Sequence, residues 1–342
     1  MTRKRPITVS ILATPDTSPS TLFGLFDVLS SVGTAWETFV SGKPNQPQFK
    51  VRIVATERKP FRCANDVLVS PHFSVEDDSD SDIALVASFV VPSLASPIGN
   101  DIRELDWLSR HQDRGSTIAS ACTGAIMLAE SGLLDGWEAT THWAFRDLFR
   151  VYYPEVRLRL EKDLCISGTN NQIVTCGGTT SWQELVLYLI TRFCGVEHAA
   201  NTAKFWRIPI LEETQAAFAA MPQGIPHGDG VVNKCQKWIT DHYSVPNPIN
   251  GMIQLSGLSH TTFTRRFKHA TGYRPIDYVQ TLRVDKAKER LEIDGGAIDK
   301  IGRDVGYQDP ASFRRIFKRR VGLTPSIYRR KFGQNRYHRF GL

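Results

Sequence analysis

The stretch that decides the fold of the C-terminal region reads Gly306-Tyr-Gln-Asp-Pro-Ala-Ser-Phe-Arg-Arg-Ile-Phe-Lys-Arg-Arg-Val-Gly-Leu-Thr-Pro-Ser-Ile-Tyr-Arg-Arg330. Much of it repeats residues that lie 50 positions earlier in the chain. The matched residues are Phe263 and Phe313, Arg265 and Arg315, Phe267 and Phe317, Lys268 and Lys318, Gly272 and Gly322, Pro275 and Pro325, and Tyr278 and Tyr328. A repeat that keeps Gly, Pro and aromatic residues in one register indicates that one supersecondary unit occurs twice.

Each copy has the pattern of a helix-turn-helix. The predicted helices are, in order, Ile249–Leu255, His260–Ala270, Ala297–Val305 and a helix that begins at Pro310. Gly257 and Gly306, which match after a slip of one residue, supply the positive φ that a tight turn between helices often needs. Ser259 and Asp309 are suitable N-caps for the second helix of each copy, and Pro310 occupies a first helical position, where no N–H is required.

The second helix of each copy has two phenylalanines four residues apart, which share one buried face. The other side chains are then predicted to point outward. They are His260, Thr261, Thr264, Arg265 and Lys268 in the first copy, and Ala311, Arg314, Arg315, Lys318 and Arg319 in the second. Arg can bind guanine or phosphate, Thr and His can reach base edges, and Lys mostly holds the DNA backbone. The alternative is a solvated basic helix, which does not explain why the turn is duplicated.

The charge distribution also separates the two halves of the 342-residue chain. Residues 231–342 carry 22 Lys and Arg against 9 Asp and Glu, a net charge of +13, whereas residues 1–230 carry 20 against 26, a net charge of −6. A basic domain joined to an acidic one indicates that the basic domain meets a polyanion.

The C-terminal region resembles the DNA-binding domain of AraC/XylS-type transcription regulators over about residues 231–333, on the stretch quoted above. The resemblance implies two helix-turn-helix units joined by a long helix, here Pro275–Glu292. It also implies two recognition helices in successive major grooves of promoter DNA, and contact with RNA polymerase. Residues 334–342 form a basic tail in which Arg336 and Arg339 can add phosphate contacts.

The N-terminal region is predicted to be an α/β domain, a mostly parallel sheet with helices on both faces, ahead of an all-α C-terminal domain with two helix-turn-helix units. The predicted strands are Ile7–Leu12, Phe49–Ala55, Asp82–Val91, Thr117–Ala121, Val156–Leu160 and Gln172–Cys176. The predicted helices are Ser20–Ser31, Asn100–His111, Thr123–Ser131, Trp143–Val151 and Trp182–Phe193. We expect one domain over residues 1–214, a linker over 215–230, where Pro, Gly and small residues concentrate, and the DNA-binding domain over 231–333.

Ser120-Ala-Cys-Thr-Gly124 lies where a strand runs directly into a helix. A turn of this kind presents the central side chain at the carboxyl end of the strand, beside the N–H groups of the helix. Those dipoles favour a Cys122 thiolate. His142, in Thr140-Thr-His-Trp143, is a candidate partner for the sulfur. The candidate site residues at this turn are therefore Cys122, Thr123, His142 and Trp143.

Residues 6–195 resemble the ThiJ/PfpI-like branch of the class I glutamine amidotransferase-like superfamily, on Cys122 and Ala139-Thr-Thr-His-Trp143. Catalytic relatives commonly have an acidic residue on the first helix, beside the cysteine. If Asp27-Val28-Leu29 takes the usual register of that helix, the acidic position lies six residues earlier and is occupied by Thr21. We therefore predict no catalytic residues, and the resemblance implies instead that Cys122, Thr123, His142 and Trp143 line an effector pocket. In the alternatives, Cys122 serves a cysteine hydrolase or amidase with an accessory nucleic-acid-binding domain, or Cys122 and His142 are simply buried.

Together the two resemblances imply an AraC-family regulator with an amidotransferase-like sensor domain that binds a small amine- or amino-acid-like effector and activates transcription. We expect a homodimer, for which Trp182–Phe193 and Val196–Phe205 are candidate contacts, although core packing explains these helices equally well. Nonspecific nucleic-acid binding is a weaker alternative. No cofactor, metal or membrane partner is expected, and six cysteines without a CxxC pair favour a reducing cytoplasm.

Overall fold

The computed structural model describes residues 5–42, 45–91, 101–209, 215–220, 227–293 and 295–333. The chain forms two compact units, Met1–Gln215 and Ala216–Leu342. The predicted basic tail, with Arg336 and Arg339, lies outside the described residues. Within the described ranges, no helix is both long and apolar enough to span a membrane.

The first unit is built on a mostly parallel sheet. Its strands are β1 (Ile7–Leu12), β2 (Phe49–Ala55), β3 (Phe61–Cys63), β4 (Val67–Val69), β5 (Phe73–Ser74), β6 (Ile83–Val86), β7 (Thr117–Ala121), β8 (Glu138–Ala139), β9 (Arg157–Leu158), β10 (Leu164–Ser167) and β11 (Ile173–Cys176). Among the described residues the main sheet has the order β10-β11-β7-β6-β1-β2-β5, with β10 antiparallel to β11 and the other pairs parallel. Strands β1, β6, β7 and β11 are buried along their whole length, as expected of a parallel sheet covered on both faces.

Helices cover both faces of this sheet. They are α1 (Pro19–Ser30), α2 (Ala35–Ser41), α3 (Ile102–Asp113), α4 (Gly124–Glu130), α5 (Arg146–Tyr152), α6 (Trp182–Cys194) and α7 (Val196–Trp206). One core contains Leu25 of α1 and Leu189 of α6, and the other contains Trp107 of α3, Ile126 of α4 and Phe149 of α5. The predicted α/β architecture is therefore confirmed.

Three predicted elements differ from the structure. The strand predicted at Asp82–Val91 ends at Val86, because the following residues bond to neighbouring loops, as in the hydrogen bond from the Phe89 N–H to the Thr123 hydroxyl. The predicted strand Val156–Leu160 is reduced to β9. The predicted helix Trp143–Val151 starts with a 3-10 turn before α5, and His142 caps that turn.

The second unit is helical. Its helices are α8 (Gly230–His242), α9 (Pro248–Ser256), α10 (His260–Thr271), α11 (Pro275–Ile293), α12 (Ile298–Asp304), α13 (Pro310–Val321) and α14 (Pro325–Phe332). The predicted caps are confirmed, since the Ser259 side chain accepts a hydrogen bond from the Thr262 N–H and the Asp309 side chain accepts from the N–H groups of Ala311 and Ser312. Gly257 and Gly306 have φ values of 66° and 99°, which a glycine adopts without steric strain.

Helix α11 supports both helix-turn-helix copies with different parts of its length. Val279, near its start, belongs to the core that buries Phe263 and Phe267 of α10. Leu291, near its end, belongs to the core that buries Phe313 and Phe317 of α13. Each copy therefore has its own apolar core, and the long helix joins the two.

Part of the predicted linker belongs to the second unit. Ala217 is buried in the core of the second copy, and the Phe218 ring lies edge-on to the Phe332 ring at 5.2 Å. The buried Lys288 ammonium of α11 donates hydrogen bonds to the carbonyl oxygens of Ala216, at 3.3 Å, and Ala219, at 2.5 Å. Residues 216–219 are thus held by α11 and α14 rather than loosely connected, whereas residues 221–226 lie outside the described ranges.

Candidate nucleic-acid interface and ligand site

The predicted recognition residues lie on α10 and α13. Nine of the ten are exposed and Thr264 is partly exposed, while the four phenylalanines of the same helices are fully buried. The four-residue spacing of the phenylalanines therefore sets which face of each helix is free. We call these free sides the α10 face and the α13 face.

The α10 and α13 faces carry cations at equivalent positions. Arg265 and Lys268 on the first match Arg315 and Lys318 on the second, and Arg319 adds a further charge. Within the described residues none of these five forms an ion pair. These cations are therefore available to an external anion.

Three other arginines on these helices are engaged within the second unit. Arg314, a predicted DNA contact, pairs with Asp299 of α12 at 2.5 Å. Such an exposed pair contributes at most about 1 kcal/mol, so a phosphate can replace it. Arg266 pairs with Asp229, the N-cap of α8, and Arg320 pairs with Asp277 of α11. These last two pairs connect α10 and α13 to α8 and α11, a role that the spacing alone did not reveal.

In the first unit, Cys122 lies at the turn between β7 and α4 with φ of 55°, a strained value for a residue with a side chain. We call residues 120–124 the elbow. The Cys122 N–H donates to the carbonyl oxygen of Cys176 at 3.0 Å, and the Cys122 carbonyl oxygen accepts from the Thr141 hydroxyl at 2.9 Å. A Cβ on Gly124 would lie 2.7 Å from the Val86 carbonyl oxygen, so the turn needs glycine there. The predicted strand-to-helix turn is confirmed in this detail.

The prediction of a Cys122 thiolate is wrong. The residue is only 6% exposed, and burial raises the pKa of the thiol to about 12. The backbone hydrogen bond from Thr123 lowers the pKa, but removal of the sulfur from water has the larger effect. The thiol is therefore protonated at neutral pH, and it is a poor nucleophile in that state.

His142 and Trp143 lie at the 3-10 turn that precedes α5. His142 Nδ1 accepts a hydrogen bond from the Ala144 N–H at 3.2 Å, and its ring centroid lies 5.0 Å from the Trp143 ring. Burial lowers the pKa of His142, so the neutral imidazole is favoured. An imidazolium that stabilises a thiolate is thus not favoured at this position.

Gln215 contacts the same turn, and sequence reasoning placed it only at the start of a linker. Its side-chain nitrogen donates to the Thr140 hydroxyl and to the Thr141 carbonyl oxygen, and its side-chain oxygen accepts from the Trp143 N–H. Its own N–H donates to Asp163 Oδ1 at 2.6 Å. The sequence did not identify this residue, because a single glutamine among small residues belongs to no motif and to no hydrophobic period.

Thr21, where catalytic relatives were expected to have an acidic residue, is a buried residue of α1. Its hydroxyl oxygen accepts a hydrogen bond from the Ser88 hydroxyl at 2.7 Å. This position therefore supplies a neutral hydroxyl rather than a carboxyl group.

A cavity of about 460 Å³ opens at the carboxyl ends of β1 and β2. The residues that line it are Ala13, Thr14, Pro15, Asp16, Ala55, Thr56, Glu57, Lys59, Pro60, Phe61, Phe89, Asp101, Arg103 and Glu104. The four residues of the predicted effector pocket are not among these lining residues. Thr123 contacts one residue of the lining, because its hydroxyl donates to the carbonyl oxygen of Phe89 at 2.7 Å.

Comparison with known proteins agrees with both units. Residues 9–192 match the DJ-1/PfpI family, and residues 253–331 match a family described as a helix-turn-helix domain. The HTH-type transcriptional regulator CdhR of Pseudomonas aeruginosa is 24% identical over 306 residues, which cover 88% of each chain. The isonitrile hydratase of Pseudomonas putida is 27% identical over 191 residues, 56% of this chain and 74% of the enzyme.

A solved structure from Vibrio parahaemolyticus superposes with a TM-score of 0.50 at 21% identity, over 59% of this chain and 99% of that one, and supports the fold. The DJ-1/PfpI match spans more than half of the chain, and the helix-turn-helix match lies within the repeat. The protein therefore belongs to the DJ-1/PfpI family and is an AraC/XylS-family transcriptional regulator with an N-terminal DJ-1/PfpI domain.

Proposed function

We propose that the protein binds specific promoter sequences and activates transcription when a small amine- or amino-acid-like effector binds the first unit. The observation that carries the DNA-binding part is the duplication of unpaired cations on the α10 and α13 faces. Arg265 and Arg315 occupy equivalent, exposed positions, each beside a second exposed cation. Arginine on a recognition helix is the commonest specific contact to guanine in the major groove.

The regulatory part of the proposal rests on the two-unit organisation. An effector changes DNA binding only if it binds one arrangement of the protein more tightly than another. We propose a homodimer as the responsive species and RNA polymerase as the partner for activation, both on the family resemblance. Because the proposed target is promoter DNA, we expect the protein to act in the cytoplasm.

Selection from a library of random DNA duplexes tests the DNA-binding part with the full-length protein. We expect enrichment of a motif with two elements about 10 base pairs apart, the repeat of successive major grooves. Binding to that motif is expected to be about 1,000-fold or more tighter than binding to unrelated DNA at moderate salt. If no motif is enriched, and the affinity for DNA depends on the salt concentration but not on the sequence, the result would support the nonspecific alternative instead.

A second candidate function is a cysteine hydrolase or amidase, favoured by the Cys122 elbow and by an enzyme among the relatives. The high pKa of the thiol and the neutral Thr21 argue against it. The Cys122→Ala variant separates the two functions. If the protein is a regulator, the variant keeps the wild-type affinity for the selected motif. If it is an enzyme, the wild type turns over amide or nitrile substrates and the variant does not.

A further inference from the structure

The cavity in the first unit lies at a topological switch point of the sheet. Strand β1 pairs with β2 on one side and with β6 on the other, so the chain leaves β1 in one direction and later returns to its opposite edge. In open α/β sheets, ligands bind in the crevice outside the carboxyl ends of the strands at such a point. We call this cavity the switch-point cleft. Its volume of about 460 Å³ is within the range of small-molecule sites.

The cleft has an excess of carboxylates. Four acidic residues line it, Asp16, Glu57, Asp101 and Glu104, against two basic ones. Both basic residues are already paired, Lys59 with Glu57 at 2.8 Å and Arg103 with Asp101 at 2.7 Å.

The other two carboxylates of the cleft have no cation in direct contact among the described residues, although the charge of Arg103, which is paired with Asp101, also acts on Glu104. Within the described ranges, neither Asp16 nor Glu104 forms an ion pair. Residues 92–100, which lie outside those ranges, include no Lys or Arg in the sequence.

Glu104 is a buried carboxyl group that faces this cleft. It lies in the first turn of α3 with 4% of its surface exposed, and its Oε1 accepts a hydrogen bond from the Thr56 hydroxyl at 2.5 Å. Desolvation raises its pKa, because one neutral hydroxyl only partly replaces the water lost on burial. A cation placed beside the group would favour its charged form and offset part of the desolvation cost.

The walls of the cleft suit an organic cation rather than a bare ion. Phe61 and Phe89 line it together with Pro15 and Pro60. Aromatic faces attract ammonium and guanidinium groups, and the apolar surface accommodates the carbon skeleton of such a molecule. The combination of apolar walls with two carboxylates outside ion pairs therefore favours a ligand that carries a positive charge on a carbon skeleton.

We propose that the switch-point cleft, rather than the Cys122 elbow, is the effector site of the first unit, and that it binds a small organic cation whose charged group lies against Glu104 and Asp16. The identification as an effector site rests on the proposed regulatory function, whereas the binding itself does not.

Thermal unfolding and titration calorimetry on the full-length protein test this with choline, butylamine and agmatine as probes. Uncharged isosteres of the same shape, such as 3,3-dimethylbutan-1-ol for choline, serve as ligand controls. We expect at least one cation to raise the melting temperature and its isostere to have no effect. Equal stabilisation by both, or no binding of any of the three cations, would overturn the proposal.

Two substitutions locate the site. Glu104→Gln keeps the size of the side chain and an acceptor for Thr56, and is expected to weaken cation binding by about tenfold or more, the loss of one close charge partner. Asp16→Asn changes an exposed side chain that does not contribute to the core, and we expect a smaller loss of about threefold. Unchanged binding in both variants would contradict the assignment.

Two matched controls complete the design. Asp113→Asn removes an exposed carboxylate at the other end of α3, outside the cleft lining, and is expected to bind the cation as the wild type does. Cys122→Ala is also expected to bind normally, and loss of binding in this variant alone would move the site to the elbow. Titration of the selected DNA with the same samples separates the two proposals, because DNA binding without cation binding refutes only the cleft.

Discussion

The side-chain nitrogen of Gln215 donates a hydrogen bond to the carbonyl oxygen of Thr141 at 3.0 Å, and the Thr141 hydroxyl reaches the Cys122 carbonyl oxygen. The last residue of the first unit is therefore tied to the turn that carries His142 and, through one side chain, to the elbow. Gln215 is 4% exposed, so its polar groups depend on these protein partners instead of water.

Replacement of Gln215 by Ala should destabilise the first unit. The substitution leaves the Trp143 N–H without its acceptor in a partly buried site, and removes donors to Thr140 and Thr141. An unsatisfied buried group costs about 1–3 kcal/mol, so we expect a loss of that size in urea unfolding. Gln46→Ala, at an exposed position, is the control and should change the midpoint little. Equal midpoints for the two variants would show that the Gln215 contacts contribute nothing.

Removal of Arg265 or Arg315 should weaken binding to the selected DNA motif. If these side chains reach bases or buried phosphates, each change to Ala costs about 1–3 kcal/mol, or roughly 5- to 150-fold in Kd. Fluorescence anisotropy with a labelled duplex measures the change. Lys237→Ala, on the exposed part of α8, is the matched loss of one positive charge and should have a smaller effect. Wild-type affinity in both arginine variants would mean that other helices contact the bases.

Alkylation of Cys122 should be slow at neutral pH. With a pKa of about 12, roughly one thiol in 10,000 is ionised at pH 8, and the fraction rises tenfold per pH unit up to about pH 12. Iodoacetamide labelling read by mass spectrometry should therefore modify the partly exposed Cys194 before Cys122. Labelling of the denatured protein shows that all sites are detectable. Fast, stoichiometric labelling of native Cys122 at pH 7 would indicate an activated thiolate.

The two turn glycines should respond differently to substitution by Ala. At Gly257 the added Cβ meets no heavy atom within 4 Å, so the loss reflects the positive φ alone, about 1 kcal/mol. At Gly306 the Cβ would lie 2.8 Å from the Ser244 carbonyl oxygen and 2.8 Å from the Arg283 guanidinium, which is held by hydrogen bonds to Tyr243 and Val245. Urea unfolding should show a clearly larger loss for Gly306→Ala. Similar losses would mean that the second turn relaxes freely.

Much of the fold could be predicted because local signals agree with the tertiary structure. Strands β1, β2 and β7 have the predicted bounds, since each is a short run rich in Val, Ile or Ala between polar or turn residues. The caps at Ser259 and Asp309 were predictable because capping involves only neighbouring residues. The four-residue spacing of the phenylalanines likewise identified the exposed helix faces.

The features that could not be predicted depend on burial by distant parts of the chain. The elbow geometry was correctly predicted, but the ionisation of Cys122 follows from its desolvation, which no local pattern reports. Glu104 lies three residues after the N-cap Asp101, a spacing that is typical of any helix start, so the sequence did not indicate that Glu104 lines a cleft. Gln215 and Lys288 bond to residues far away in sequence, and neither lies in a motif.

The hydrogen bonds of Lys288 bear on where the DNA-binding half can be excised. A fragment that starts at Val231, where the composition changes, lacks the carbonyl oxygens of Ala216 and Ala219 that accept hydrogen bonds from this ammonium. It also lacks Phe218, whose ring lies edge-to-face with the Phe332 ring. A fragment that starts at Ala216 retains them. The longer version should melt at the higher temperature, although the additional residues include no predicted DNA contact.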